Sequence, residues 1–351
     1  MKRKFIIPLL CLLLFVWSCA KNNQAPKPVV TGNSGQNLLE HLKYNYDFSE
    51  FYNAMVKVHL DTLLTGPGPF TIVIPDNVAF QTAGISPDSL NNMDTAQLRL
   101  LLGYHILRGN ITTGSVPQAL DYVYTNIDSL PLYFSEPIPG INQHQNPALF
   151  PIVYVNGDQV VTKDITASNG VIQVLTTPLS YPVHSIKTFL LNNPNYSFFT
   201  TALQRFNLLN QLDSAGPMVV LALSNDDFGY WGIDLDSINR MDTFTYKKYL
   251  FGVSILPGKF FFNADLSNGP PETNPSGTAY YLTTSYVLSI YQGNFQVYPL
   301  DYGMQQQEYN YVGSWGDPLY ILDPDHLALN GIVQGLDGGL LIYPDSAMVN
   351  P

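Results

Sequence analysis

Ile85-Ser86-Pro87-Asp88-Ser89-Leu90-Asn91-Asn92-Met93-Asp94-Thr95 and Ile233-Asp234-Leu235-Asp236-Ser237-Ile238-Asn239-Arg240-Met241-Asp242-Thr243 lie 148 residues apart, and seven of their eleven positions are identical. The same register sets Asp47-Phe48-Ser49-Glu50-Phe51 against Asn195-Tyr196-Ser197-Phe198-Phe199, and Ile74-Pro75-Asp76-Asn77 against Ala222-Leu223-Ser224-Asn225. Further on, Asn169-Gly170-Val171-Ile172-Gln173 faces Asn330-Gly331-Ile332-Val333-Gln334 at an offset of 161, so the second copy has gained about a dozen residues in between. The chain reads as a tandem duplication. Each copy has the size of an ordinary domain and not of a short-period solenoid. The expected units are residues 37–182 and a divergent copy over 183–351 with an insertion at about 262–320.

Both units carry one coarse pattern. Asp47 and Glu50 read as a helix start, followed by Phe48, Phe51, Met55 and Val58 at helical spacing. Pro67-Gly68-Pro69 interrupts the chain, and Phe70-Thr71-Ile72-Val73-Ile74 before Pro75 is the short apolar, largely β-branched run of a buried strand. Asp94-Thr95 opens a second helix with Leu98, Leu101 and Leu102 on one face. Asn156-Gly157 between two apolar runs is a hairpin turn. Helices clustered beside short hairpin-linked strands indicate an α+β class.

The remaining segments speak of location. Lys2-Arg3-Lys4, the apolar run Phe5 to Trp17 and then Ser18-Cys19-Ala20 follow the order of a secretory signal. Such a run is too short for the roughly 20 residues that a bilayer-spanning helix needs. Val16-Trp17-Ser18-Cys19 is similar to a bacterial lipobox, in which the cysteine is acylated and becomes the first mature residue. The expectation is therefore a signal peptide over 1–18, a lipid anchor on Cys19, and a flexible Asn/Pro/Gly-rich tether over 19–36. That places the protein at the bacterial cell envelope as an outer-membrane lipoprotein, attached to the membrane through its N-terminal lipid. Cys11 would be discarded, leaving no cysteine for a disulfide, a thiol nucleophile or a metal. The formal charge of −11 becomes −14 once Lys2, Arg3 and Lys4 are removed, a balance that excludes nucleic acid as a partner.

Three ordered motifs resemble the fasciclin (FAS1) domain. Phe70 to Phe80 looks like the family's first motif, "FTVFAPTNDAF", Tyr104-His105 like its "YH" segment, and Asn169-Gly170-Val171-Ile172-Gln173-Val174 like its second motif, "NGVIHVID". In the second unit Leu223 stands at the position of Pro75 and Ser254 at that of His105, whereas Asn330-Gly331 keeps the second motif. The resemblance implies two tandem fasciclin-like domains, each a short-stranded β-sheet wedge or sandwich with a cluster of helices. It also implies a cell-adhesion or binding role. Pro75, Asn77, His105, Asn169, Gly170, Asn225, Asn330 and Gly331 read as architecture, with the Asn-Gly pairs as tight turns requiring positive φ. In some animal members of the family an Asp-Ile pair before the second motif is linked to receptor binding, and Asp164-Ile165 occupies that place.

No H-E-x-x-H, G-x-S-x-G or phosphate-cradling loop occurs, so no catalytic residue, cofactor or metal is assigned. Two acidic clusters, Asp226-Asp227 with Asp234 and Asp236, and Asp323-Pro324-Asp325-His326, could serve calcium or a glycosidase but read first as caps and turns. Aromatics from Tyr280 to Tyr320, with Tyr302, Tyr309, Tyr311 and Trp315 as candidate ligand contacts, suit sugar stacking, protein contact or sheet packing. The Pro-rich stretch from Pro131 to Pro151 reads as a second candidate loop surface. The sequence thus favours a noncatalytic binding module for an envelope or extracellular protein or glycan. An accessory lipoprotein of a glycan-uptake complex and a glycan-processing hydrolase are the alternatives.

Overall fold

Ile72, Val73 and Ile74 are each fully buried, so this run has apolar neighbours on both faces and can only be an internal strand. It is the centre of the first half in a computed structural model that describes residues 35–136, 152–230, 232–243, 249–252, 254–258, 260–268, 278–281, 286–291, 294–299, 309–312, 320–337 and 341–344. The first half contains helices α1 (Leu38–Tyr44), α2 (Ser49–Lys57), α3 (Asn77–Thr82), α4 (Pro87–Asn92) and α5 (Thr95–Tyr104). Its strands are β1 (Phe70–Pro75), β2 (Ile106–Arg108), β3 (Tyr122–Thr125), β4 (Pro131–Ser135), β5 (Tyr154–Val155), β6 (Asp158–Ala167) and β7 (Gly170–Leu175). They form one sheet in the order β2-β1-β7-β6-β5-β4-β3, in which β1 and β7 run parallel and every other pair is antiparallel.

The helices pack on one face of this sheet. Phe51 and Met55 of α2, Leu98 and Leu102 of α5, and Ile72 and Ile74 of β1 share one core, while Val73 looks to the other face with Leu132, Phe134, Val155 and Leu175. The leucines expected on the helix after Asp94 are buried, and Asp94 caps α5 by accepting from the Ala96 and Gln97 N–H groups. Asn156 and Gly157 have φ of 49° and 83°, as a two-residue turn between β5 and β6 requires.

Two local expectations need correction. Asp47 caps nothing; Asn45 caps the 3-10 turn Tyr46–Phe48, from which α2 continues, and the Glu50 N–H is taken by the distant Asn77 Oδ1 at 3.1 Å. The Pro131 to Pro151 stretch is not loop throughout, because Pro131–Ser135 is β4, whose alternate residues Leu132 and Phe134 are buried. Residues 137–151 lie outside the described residues.

The second half rebuilds the same frame. It contains α6 (Ile186–Asn192), α7 (Ser197–Arg205), α8 (Asn225–Tyr230), α9 (Leu235–Arg240), α10 (Tyr249–Gly252) and α11 (Asn263–Asn268). Its strands are β8 (Met218–Leu223), β9 (Ile255–Pro257), β10 (Thr278–Tyr281), β11 (Tyr286–Tyr291), β12 (Asn294–Pro299), β13 (Tyr309–Val312), β14 (Tyr320–Ala328), β15 (Gly331–Asp337) and β16 (Leu341–Pro344). The four-stranded sheet β14-β15-β8-β9 matches β6-β7-β1-β2 strand for strand. Register is also kept: Thr71 faces Val171 across the parallel pair, and Val219 faces Ile332. Within the expected insertion, β10, β11 and β12 form an antiparallel meander of their own, and β13 pairs with β16.

The Asn-Gly pairs stand at turns as expected from the sequence, and Gly331 has the positive φ expected there, at 152°. Gly170 is not in the left-handed region; a Cβ there would instead collide with the Phe70 carbonyl of the adjacent strand, and one at Gly331 with the Met218 carbonyl. Close backbone approach, not turn geometry, excludes a side chain at Gly170. Gly170→Ala and Gly331→Ala are each expected to destabilise the chain by about 2 kcal/mol or more in urea unfolding, against no measurable change for Gly114→Ala, where the added methyl meets open space.

Candidate functional site

The motif residues converge on backbone groups, and they do so twice. Asn169 is 7% exposed, and its side-chain oxygen accepts from the Leu38 N–H at 2.8 Å, 131 residues away in sequence. Its amide donates to the Leu64 and Gly66 carbonyls at 2.7 and 2.8 Å. In the copy, Asn330 accepts from the Ile186 N–H at 3.0 Å and donates to the Leu212 and Ser214 carbonyls at 2.8 and 3.0 Å. Leu38 and Ile186 are the first residues of their helices, whose N–H groups no helical carbonyl can satisfy. One side-chain amide thus latches a helix, a 3-10 turn and the central sheet together.

A second amide grips a β-bulge. Asp164 has φ of 55° and Asp325 of 64°, each where the antiparallel pairing slips, between Thr162 and Ile165 and between Asp323 and His326. Gln173 accepts from the Asp164 N–H at 3.0 Å and donates to the Asp164 carboxylate at 2.7 Å; Gln334 treats Asp325 alike, at 2.9 and 2.8 Å. The Asp164 carboxylate also takes the Thr113 N–H at 2.8 Å and the Thr113 hydroxyl, as the Asp325 carboxylate takes the Asn263 N–H at 2.8 Å. The structure therefore places Asp164 in a lock between strands, and Ile165 beside it is buried at 6% exposure. The glutamines were not singled out from the sequence, although Gln173 with Asp164 and Gln334 with Asp325 recur at one offset.

Asn77 and Asn225 are likewise paired in role. Asn77 donates to the Tyr46 carbonyl and the Ser49 hydroxyl, and Asn225 to the Pro194 carbonyl and the Ser197 hydroxyl. Asp76 caps α3 through the Ala79 N–H directly after Pro75 ends β1. His105 is 1% exposed and bridges two elements: the Leu179 N–H donates to Nε2 at 3.0 Å, so Nδ1 carries the proton and donates to the Leu101 carbonyl at 2.8 Å. Ser254 keeps the backbone part of this frame, its carbonyl taking the Leu221 N–H at 2.8 Å as that of His105 takes the Val73 N–H at 2.9 Å.

Most carboxylates of the acidic clusters are tied down, whereas Asp226 and Asp236 are exposed on α8 and α9. Asp227 takes the Ser224 N–H and hydroxyl, Asp234 caps α9 through the Ser237 N–H, and Asp323 takes the Tyr196 hydroxyl and faces His326 Nε2 at 2.7 Å. Among the described residues no group of three or more His, Cys, Asp or Glu is arranged to hold a metal ion. Tyr309 and Tyr311 sit on β13, paired with Pro344 and Ile342 of β16. Cys19, Tyr302 and Trp315 lie outside the described residues.

Between the halves, Tyr133 of β4 stacks on Phe260 with ring centroids 4.2 Å apart, and Leu327 of β14 packs against cores of both halves. Beside them lies a cavity of about 220 Å³ lined by Asn156, Asp158, Leu179, Phe262, Asp325 and Leu327 among others. Burial raises the carboxyls of Asp158 and Asp325, the latter to about 6, although Gln334 and the Asn263 N–H favour its charged form. The wall is acidic, yet its carboxylates serve internal bonds: Asp158 meets the hydroxyls of Thr176 and Thr177. The arrangement suits cementing two units better than bond-breaking chemistry.

Two outcomes follow from this bonding. Asn169→Ala leaves one N–H and two carbonyls without their partner and is expected to cost about 3 kcal/mol in chemical unfolding, with a similar loss for Asn330→Ala. Burial holds His105 down to about 4 from an ordinary 6.5, so the unfolded chain takes the proton first as pH falls. Its contribution is full above about 6.5 and is lost down to about 4. Relative to His105→Gln, the wild-type chain is expected to lose about 3 kcal/mol of stability between pH 7 and pH 4, read as the change in the difference of urea midpoints.

The family model described as "Fasciclin domain" matches residues 46–182. No curated protein matches the chain. Among solved structures, a FAS1 domain pair from the insect cell adhesion molecule fasciclin I is 17% identical, covering 86% of this chain and 97% of that one with a TM-score of 0.37. Residues 46–182 thus match the fasciclin domain family, and the second half repeats the amide bonds that hold that frame together.

Proposed function

We propose that this chain is a noncatalytic binding protein of the bacterial cell envelope, in which acylated Cys19 supplies attachment, residues 19–36 supply reach, and loops of the fasciclin pair contact a protein or glycan. The observation that carries this reading is the fate of the acidic residues. Asp227, Asp234, Asp323 and Asp325 each accept hydrogen bonds that hold local structure, while Asp226 and Asp236, around which a hydrolase site would be built, are exposed on α8 and α9 and do not line the cavity. What is left to meet a partner is surface: Tyr44 and Tyr46 before α2 are 69% and 83% exposed, and Tyr122 and Val123 on β3 are 44% and 53% exposed. Aromatic side chains with a polar tip suit both glycan stacking and protein contact.

Attachment rests on the N-terminus. Among the described residues no helix is long and apolar enough to cross a membrane. A single acyl chain binds a bilayer only marginally, so the several chains of a bacterial lipoprotein are needed for stable anchoring.

In the native host, Cys19→Ala is expected to move the protein from the membrane pellet to the soluble fraction; retention in the pellet would remove the lipid anchor from the account. Purified protein incubated with envelope polysaccharides is expected to retain glycan or protein partners and release no product. Turnover would favour the hydrolase, and co-purification with an outer-membrane transporter from intact cells would favour the glycan-uptake accessory.

A further inference from the structure

The contact between the halves contains two carboxyl groups that face each other. Asp121 stands just before β3 in the left-handed region, φ 55°, and its N–H donates to the Ser135 hydroxyl on β4 at 2.9 Å. Asp265, from α11 of the second half, is 2% exposed; one of its oxygens accepts from the Phe262 N–H at 2.7 Å. The other oxygen, and its counterpart Oδ1 on Asp121, are shielded from water and have no conventional donor among the described residues. The two carboxyl groups lie close enough to interact directly, with the Ser135 hydroxyl beside Asp265, so a hydrogen bond between them is within reach. Two carboxylates cannot make that bond, since each is an acceptor only; one proton must lie between them.

We propose that Asp121 and Asp265 share a single proton across the contact between the two halves, so that the halves stay docked while the pair holds that proton and part when it is lost.

The surroundings set the direction. The groups that face the pair are Asp325 on β14, Asp158 on β6 beyond it, Tyr133 and Ser135 on β4, and the Phe262 and Asn263 N–H groups at the start of α11. Desolvation and the neighbouring carboxyls Asp265 and Asp325 push Asp121 well above the carboxylate range, and burial pushes Asp265 the same way. The docked state therefore holds its proton at a pH where separated halves, with both carboxyls in water, have released theirs. Docking is strongest below the ordinary carboxylate pKa of 3.8 and weakens as pH rises through the raised value. Separation relieves like charges left buried together, because water can then solvate both.

The test is small-angle X-ray scattering of the full chain from pH 5 to pH 10, with circular dichroism on the same samples. The radius of gyration is expected to rise at alkaline pH while the dichroism stays native. In Asp121→Asn an amide donates to the Asp265 carboxylate without a shared proton, so the rise is expected to vanish or to move up by two pH units or more. Asp265→Asn serves as the reciprocal variant should the first fail to fold. A wild-type chain of constant size across the range, an Asn variant that expands at the wild-type pH, loss of native dichroism together with the expansion, or expansion at pH 7 on adding a metal chelator would each overturn the proposal.

Discussion

The structure depends on a side-chain amide doing what secondary structure cannot. The N–H of a helix's first residue has no carbonyl within the helix, and the carbonyls that end the 3-10 turn 61–65 have none of their own. Asn169 answers both needs from the head of β7, and Asn330 does so from the head of β15. Because donor and acceptor lie on one planar group, neither aspartate nor leucine can replace it: aspartate would present oxygen to two carbonyls, and leucine would satisfy none of them. The adjacent glycine is bare for the same reason of proximity, since the neighbouring strand's carbonyl fills the place of its Cβ.

From that latch the remaining frame follows in order. The central parallel strands β1 and β7 are fixed against α1, and the bulge in β6 is then held by Gln173, which supplies an acceptor and a donor where the ladder lapses. The bulge turns Asp164 inward to Thr113, and its copy turns Asp325 towards the start of α11 and the cavity between the halves. A device that closes one domain is thereby also the wall of the contact between two. Asp325 shows the overlap most clearly, bonded to Gln334 within its own sheet and close to Gly157 of the first half.

Much of this frame was legible in the sequence, where its residues act locally. The repeated eleven residues survive because they cap short helices: Ser86 takes the Ser89 N–H in one half, Asp234 takes the Ser237 N–H in the other, and Asp94 caps α5. A substitution of serine by aspartate keeps the cap, so the match persists without identity. The buried strand β1 and the leucines of α5 were equally readable from periodicity. What could not be read acts at long range. The partner of Asn169 lies 131 residues upstream, so its local pattern resembled a turn, and β4 was lost in a proline-rich stretch whose alternation spans only five residues. Asp121 and Asp265 carried no signal at all, since they occupy unrelated places in the two copies and meet only when the halves dock.

The central claim, that one amide latch holds each half, is tested most directly by hydrogen exchange of two particular amides under native conditions. Leu38 and Ile186 are expected to exchange as slowly as Val73 and Leu221 in the central strands, because the Asn169 and Asn330 oxygens hold their protons in the folded state. Exchange at the rate of a frayed helix start, with the central strands still protected, would contradict it.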